Sequence, residues 1–410
     1  MTTEDAVVSI SKIGPEAEDS QIEEQVFKAV ELVGGIPAAI ERAPRILVKP
    51  NLGYFDTRTY NGRLVALTEP SVTGAVLRML RDVTKKEIIL ADGPYPEPIS
   101  EVAKAAGYGR ILKKYGAKLL DANQPPYVNV AVPANAAILR TYQINKEIAS
   151  AVAVISIAKM KSHLLTGVSL CMKNLFGLAP VPVYGYWNAR WYLHYPIRLP
   201  RCLVDLTSIF KPCLNVIDGV VGETVQEWLG PAIESNVILA GNNAVATDAV
   251  GAEVMGFDPL AEFPQKPFLF DTNHLRLAAD ADLGPVDPSE IKIRGEEPED
   301  VKSNFDVRYL ADLESSIHLD ARRKLAEEAR WYNANAQEIV RLYNGKVVCV
   351  EQGRVSWSSE RIEDLETKFK PRHLTVKYKS KTGSGYTLPF IKKVVPVEED
   401  PEIFDAYLAP

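Results

Sequence analysis

Buried-strand runs that end abruptly in a polar residue recur along this chain, and that recurrence restricts the fold more than any other feature. Arg45-Ile46-Leu47-Val48 runs into Lys49-Pro50-Asn51-Leu52-Gly53, where Pro50 stops regular pairing and Gly53 lets the chain turn. Residues 87–91 end in Asp92-Gly93-Pro94, residues 117–120 in Asp121, and residues 214–217 in Asp218-Gly219. Helical patterns alternate with these runs. Ile22, Val26, Val30 and Val33 follow a capping-box pattern of Ser20 and Glu23, and Val72, Val76, Leu77 and Leu80 follow Glu69-Pro70-Ser71. A third helix is expected over residues 99–115, stopped by Gly116. This rhythm predicts an α/β fold with a mostly parallel, doubly wound sheet or sheets flanked by helices. Ligands of such sheets bind beyond the carboxyl ends of the strands, which makes the polar residues there site candidates.

The densest cluster follows the apolar run of residues 151–158. Lys159, Lys161, His163 and Lys173 come in quick succession, interleaved with Ser162, Thr166, Ser169 and Asn174, and are expected where a buried strand gives way to a loop and helix. Together with Lys49 they would form a strongly positive pocket suited to a carboxylate, a phosphate or an enolate. Mutual repulsion would lower the pKa of one lysine, fitting it to act as a general base or Schiff-base amine, with His163 as proton-transfer partner. His163, Lys161 and Lys173 are therefore the expected catalytic residues, and Lys49, Asn51, Lys159, Thr166, Ser169 and Asn174 the expected substrate contacts. For any one lysine the alternative is an ion pair with Asp92, Asp218 or Asp248. Asp92, Asp218, Glu223 and Asp248 also offer oxygens for a divalent metal, with no diagnostic spacing to join them. No Gly-x-Ser-x-Gly occurs, which argues against nucleophilic hydrolysis at Ser169 or Cys171.

Elsewhere, residues 127–132 and 137–142 read as irregular strands. Segment 184–196 is crowded with Tyr184, Tyr186, Trp187, Trp191, Tyr192 and Tyr195. It is expected to be a packing element, a subunit contact or lid, or an apolar substrate wall to which Trp187 and Trp191 would contribute. A strand over 236–240, helices over 244–255 and 271–281 and a strand over 291–294 precede the acidic break Gly295-Glu296-Glu297-Pro298-Glu299-Asp300. Beyond it come a charged helix over 315–343 and short β runs at 346–350, 354–357 and 373–378. The expected organisation is an α/β core over 1–300, undivided or split into about 1–150 and 151–300, followed by a C-terminal α+β extension over 301–410.

A net charge of −6 across 410 residues, with no long basic run, argues against a nucleic-acid surface. Cys171, Cys202, Cys213 and Cys349 contain no C-x-x-C pair, so neither a disulfide framework nor an iron-sulfur motif is signalled. The first residues are acidic and no stretch reaches bilayer length, from which a cytoplasmic chain without membrane contact is expected.

The chain resembles the domain-of-unknown-function family 362 over about residues 45–295. The resemblance is carried by Val48-Lys49-Pro50-Asn51-Leu52, by Lys159-Met160-Lys161-Ser162-His163 running into Thr166-Gly167-Val168 and Lys173-Asn174-Leu175-Phe176-Gly177, by Ile217-Asp218-Gly219, and by Ala246-Thr247-Asp248-Ala249-Val250 with Met255-Gly256-Phe257-Asp258-Pro259. Many members of that family carry closely spaced cysteines of ferredoxin type, and this chain does not. His163, Gly167, Ser169 and Lys173 are in addition similar to a segment of the nickel-pincer lactate racemase family. That likeness implies a lysine that anchors a cofactor and a histidine that serves as acid, base or ligand.

Two functional readings follow. The first is an enzyme of isomerase or lyase type, performing proton transfer, isomerisation or elimination next to the carboxylate or carbonyl of a small anionic substrate that includes aromatic candidates. The second is a redox or scaffold protein docking a partner through segment 184–196. A homo-oligomer is expected in either case, and the cofactor is left open, with a divalent metal as one option.

Overall fold

The computed structural model describes residues 5–133, 135–186, 189–307, 315–361, 364 and 389–407. Its centre is a nine-stranded sheet. The strands are β1 (Val7–Lys12), β2 (Arg45–Pro50), β3 (Glu87–Asp92), β4 (Lys118–Asp121), β5 (Ala153–His163), β6 (Gly167–Ser169), β7 (Leu214–Glu223), β8 (Ala232–Gly241) and β9 (Lys292–Gly295). Their order is β9-β1-β8-β7-β5-β2-β3-β4, with β6 hairpinned onto the end of β5. The run from β7 to β4 is parallel throughout, as is β9 with β1, whereas β8 is antiparallel to both of its neighbours. From β2 the chain winds outward to β3 and β4, then returns to lay β5 on the other side of β2. The carboxyl ends of β2 and β5 thus flank a reversal of winding direction, the place where an open α/β sheet leaves a crevice.

Alternation along the strands explains why helices cover both faces. Ile46, Val48, Ile88, Ile155 and Ile157 pack against Ile22, Val26 and Val30 of α1 (Asp19–Leu32) and Val72, Val76 and Leu80 of α2 (Pro70–Val83). Leu47, Ile89, Val154, Ala158 and Ile217 join the larger core, shared with α3 (Arg198–Phe210) and α4 (Ala244–Val254). Each such Val, Leu or Ile side chain contributes about 1.5–3 kcal/mol when fully buried. The sheet takes neighbouring strands from both sides of residue 150, since β2 pairs with β5.

Several local expectations shift. Glu18, not Ser20, caps α1, and the Gln21 side chain accepts its amide at 2.8 Å. The helix over 99–115 is two, Ile99–Ala105 and Gly109–Tyr115, parted at Gly107, whose φ is +83°. Tyr127–Ala131 pairs with Thr141–Asn145 rather than with 137–142. The cause is Asp205, whose carboxylate takes the amides of Ala137, Ile138 and Leu139 at 2.5, 3.1 and 3.0 Å. In the extension the charged helix ends at Ala334, and Ala336–Tyr343 begins anew after Asn335, whose side chain donates to the Trp331 carbonyl at 2.8 Å. Val355–Ser359, Val347–Val350 and Phe390–Lys393 form a three-stranded antiparallel sheet, and the run at 373–378 lies outside the described residues. Arg198 binds this extension to the core through a buried ion pair with Glu402 at 2.8 Å.

The change that matters most for function is in β5. The strand does not stop at residue 158 but continues to His163 and turns back into β6, with Lys161 opposite Ser169 and His163 opposite Gly167. Gly167 has φ +72°, and a Cβ there would lie 2.8 Å from the Pro267 carbonyl oxygen, so the hairpin requires glycine. Because side chains alternate along a strand, Lys159, Lys161 and His163 share one face.

Candidate active site

The carboxyl ends of β2, β3, β5 and β7 sort the cations into paired and unpaired groups. Lys49 lies 2.8 Å from Asp92 and also donates to the Pro50 carbonyl and to Asn174 Oδ1, at 2.8 and 2.9 Å. Asn174 returns its own amide to the Lys49 carbonyl at 2.7 Å and to Ser156 Oγ at 3.0 Å. Lys159 pairs with Asp218 at 3.0 Å, with neither side chain exposed. Lys161 has no carboxylate within ion-pair distance among the described residues. It donates to the Ala66 carbonyl at 3.1 Å and stands 3.5 Å from Asn51 Oδ1. Lys173 has no hydrogen bond or ion pair among the described residues, and its Nζ lies 4.4 Å from the centroid of the Phe176 ring.

These contacts surround one pocket, whose wall includes Lys49, Asn51, Lys161, His163, Ser169, Lys173, Asn174, Arg190, His194 and Glu227. Lys159 lies behind the wall as a structural partner of Asp218. Thr166 is buried, with its hydroxyl donating to the Val168 carbonyl at 2.9 Å. Trp191 is in the core beside Tyr195, ring centroids 5.2 Å apart, and not on the pocket wall. Trp187 lies outside the described residues. Elsewhere in segment 184–196, Tyr184, Trp191 and Tyr195 are buried in the core, and Tyr186 is the large exposed aromatic among the described residues of that stretch.

Electrostatics follow burial. Desolvation lowers the Lys173 pKa to about 7, opposed by the attraction of Glu227 and assisted by the repulsion of Arg190 and Lys161. Lys161 is lowered by the same main cause. His163 is driven well below the usual histidine range by burial and by the charge of Lys173. Its Nδ1 accepts the amides of Leu165 and Thr166 at 3.1 and 3.2 Å, which leaves the proton of the neutral ring on Nε2, 3.5 Å from Glu227 Oε1. Burial raises the pKa of Glu227, although Oε2 accepts the Leu164 amide at 2.7 Å. The site therefore combines a free amine, a carboxyl with a raised pKa and a neutral imidazole beneath fixed positive charge.

The four carboxylates expected for a metal are separately engaged. Asp92 and Asp218 hold lysines, and Glu223 binds Arg58 at 2.7 Å and takes the amides of Trp228 and Gly230 at 3.1 and 3.0 Å. Asp248 accepts the amides of Cys171 and Met172 at 2.7 and 2.8 Å, at the start of the short helix Cys171–Asn174. Among the described residues no group of three or more His, Cys, Asp or Glu side chains is placed to hold a metal ion. A metal bound by side chains alone does not fit these donors.

Sequence reasoning missed Arg190 and His194 as site residues and gave Glu227 no catalytic role. Arg190 donates to the carbonyls of Gly93 and Gly177, at 2.6 and 2.9 Å, and of Ala179, while His194 meets Phe176 edge-on at 4.5 Å. Both were hidden in a stretch whose aromatics suggest packing. Glu227 is carried by a loop in which Val225, Trp228 and Leu229 have positive φ and Trp228 stacks on Tyr54 at 4.7 Å.

Residues 46–253 match a family described as a domain of unknown function (DUF362). A thylakoid-associated protein of Synechocystis sp., sll1697, is 26% identical over 231 residues, covering 56% of this chain and 68% of that protein. The lactate racemase apoprotein of Thermoanaerobacterium thermosaccharolyticum superposes with a TM-score of 0.39 and 16% identity over 61% of this chain, and only 57% of the racemase chain is spanned. No helix among the described residues is long and apolar enough to cross a membrane.

Proposed function

The chain belongs to the DUF362 family, and on that premise we propose that it is an enzyme of isomerase or lyase type that moves a proton next to the carboxylate or carbonyl of a small anionic substrate. The observation that carries this reading is the amine of Lys173, which lines the pocket with neither an ion pair nor a hydrogen bond among the described residues and has a pKa of about 7. An amine poised at the working pH is an effective general base. Lys161 binds the substrate anion and, with Arg190, stabilises the negative charge that develops as the proton leaves. Glu227 serves as the partner acid. His163 acts through its Nε2 proton, holding Glu227 in place rather than carrying substrate protons itself.

The test is solvent exchange. A panel of small 2-hydroxy and 2-oxo carboxylates is incubated with the protein in deuterium oxide and followed by proton NMR. Deuterium should enter the carbon next to the carboxylate or carbonyl of at least one member, and Lys173→Met should abolish it while leaving the circular dichroism unchanged. Exchange that persists unaltered in folded Lys173→Met would refute the proposal.

A further inference from the structure

Among the described residues four cations line the pocket, Lys49, Lys161, Lys173 and Arg190, against two carboxylates, Asp92 and Glu227. Lys49 is matched by Asp92. The Arg190 guanidinium donates to three backbone carbonyls and has no carboxylate within ion-pair distance among the described residues, with Asp92 and Asp121 attracting it from farther off. Lys161 likewise has hydrogen bonds only to a carbonyl and an amide oxygen among the described residues. Buried positive charge without a matching anion is strongly unfavourable, and a bound carboxylate relieves it. Beside this anion-seeking pair stands Lys173, whose nitrogen rests over the Phe176 ring and, among the described residues, against no acceptor. A lysine desolvated next to another cation is the arrangement that makes an amine nucleophilic towards carbonyl carbon.

Building on the proton-transfer reading of this pocket, we propose that Lys173 is a covalent site that condenses with the carbonyl of a small 2-oxo carboxylate, whose carboxylate is bound by Lys161. The neutral amine attacks the carbonyl carbon, a nitrogen–carbon bond forms, and the carbonyl electron pair moves to oxygen, which takes up a proton as the amine gives one up. Glu227 protonates the resulting hydroxyl, water leaves, and a protonated imine remains on Lys173. No oxidant or reductant is consumed. The imine withdraws electrons from the adjacent C–H bond, and Glu227, now a carboxylate, accepts that proton. Hydrolysis returns the amine.

Pyruvate with sodium cyanoborohydride is the probe, applied to the full chain at neutral pH. The hydride reduces the imine to a stable secondary amine, which peptide mass spectrometry locates. The proposal expects the adduct on Lys173 in clear excess over exposed lysines. It should be absent in Lys173→Arg and Lys173→Met and reduced about tenfold in Lys161→Met, as for loss of one charge-assisted hydrogen bond. Acetaldehyde, which lacks the carboxylate, should label Lys173 poorly. An unmodified Lys173 in folded protein, or labelling no greater than at exposed lysines, overturns the proposal. Deuterium exchange into the pyruvate methyl group, measured in parallel, separates the two claims. Exchange that depends on Lys173 without an adduct ends the covalent proposal and leaves the base-catalysis reading standing, whereas loss of both ends both.

Discussion

Lys49 Nζ stands 2.8 Å from Asp92 Oδ2 with each side chain only 1% exposed, and the pair presses on Gly177, where an added Cβ would fall 2.1 Å from Asp92 Oδ1. This contact joins the ends of β2 and β3 in the wall of the pocket that Lys161 and Lys173 also line. Removing one member of a buried pair leaves the other uncompensated, which costs about 3–5 kcal/mol. Asp92→Ala should therefore lower the urea midpoint by a corresponding amount. Gly177→Ala should also destabilise, by forcing the pair apart.

The lowered pKa of Lys173 has a stability consequence with a definite sign. The residue titrates at about 7 in the folded chain against 10.5 ordinarily, so between those values the unfolded chain binds more protons there. Stability from this residue must rise with pH across that window and carry its full penalty below it. Lys173→Met should raise Tm most at pH below about 7, and the difference from wild type should shrink as pH rises towards 10.5. Thermal scans across that range check this.

Asp248 titrates in the opposite sense. Burial raises its pKa from 3.8 to about 7, so between these values the folded chain holds more protons and the contribution to stability falls as pH rises. Asp248→Asn should flatten that part of the pH–stability curve. Asp248→Ala orphans the buried amides of Cys171 and Met172, at about 1–3 kcal/mol each. Urea unfolding of both variants at several pH values separates the two effects.

Glu227→Gln keeps an acceptor for the Leu164 amide and removes the proton donor. The expected outcome is a folded protein whose solvent exchange is lost at every pH. Retained exchange in the variant would assign the acid role to another group.

The sheet and the positions of its polar strand ends were legible because apolar runs closed by Lys, Asp or Asn reveal both strand length and polarity. Lys159, Lys161 and His163 fall on every second residue, a period-two signal that β5 continues through them, which the uninterrupted apolar run before them masks. Which lysine pairs with which aspartate was not legible. Lys49 meets Asp92 only because β2 and β3 are neighbours, and Lys159 meets Asp218 only because β5 and β7 are. Strand order is a property of the whole fold that local sequence does not carry. Glu227 was obscured for a different reason: Val225, Trp228 and Leu229 adopt left-handed conformations that none of those residue types announces.

The titration of Lys173 itself decides whether its amine is a base at neutral pH. Carbon-13 NMR of protein labelled at lysine Cε, with the resonance assigned by its absence in Lys173→Met, reads the ionisation of that amine in the folded chain. A midpoint near pH 7 is expected, and a midpoint at the ordinary lysine value of 10.5 would show an amine that its surroundings leave unperturbed.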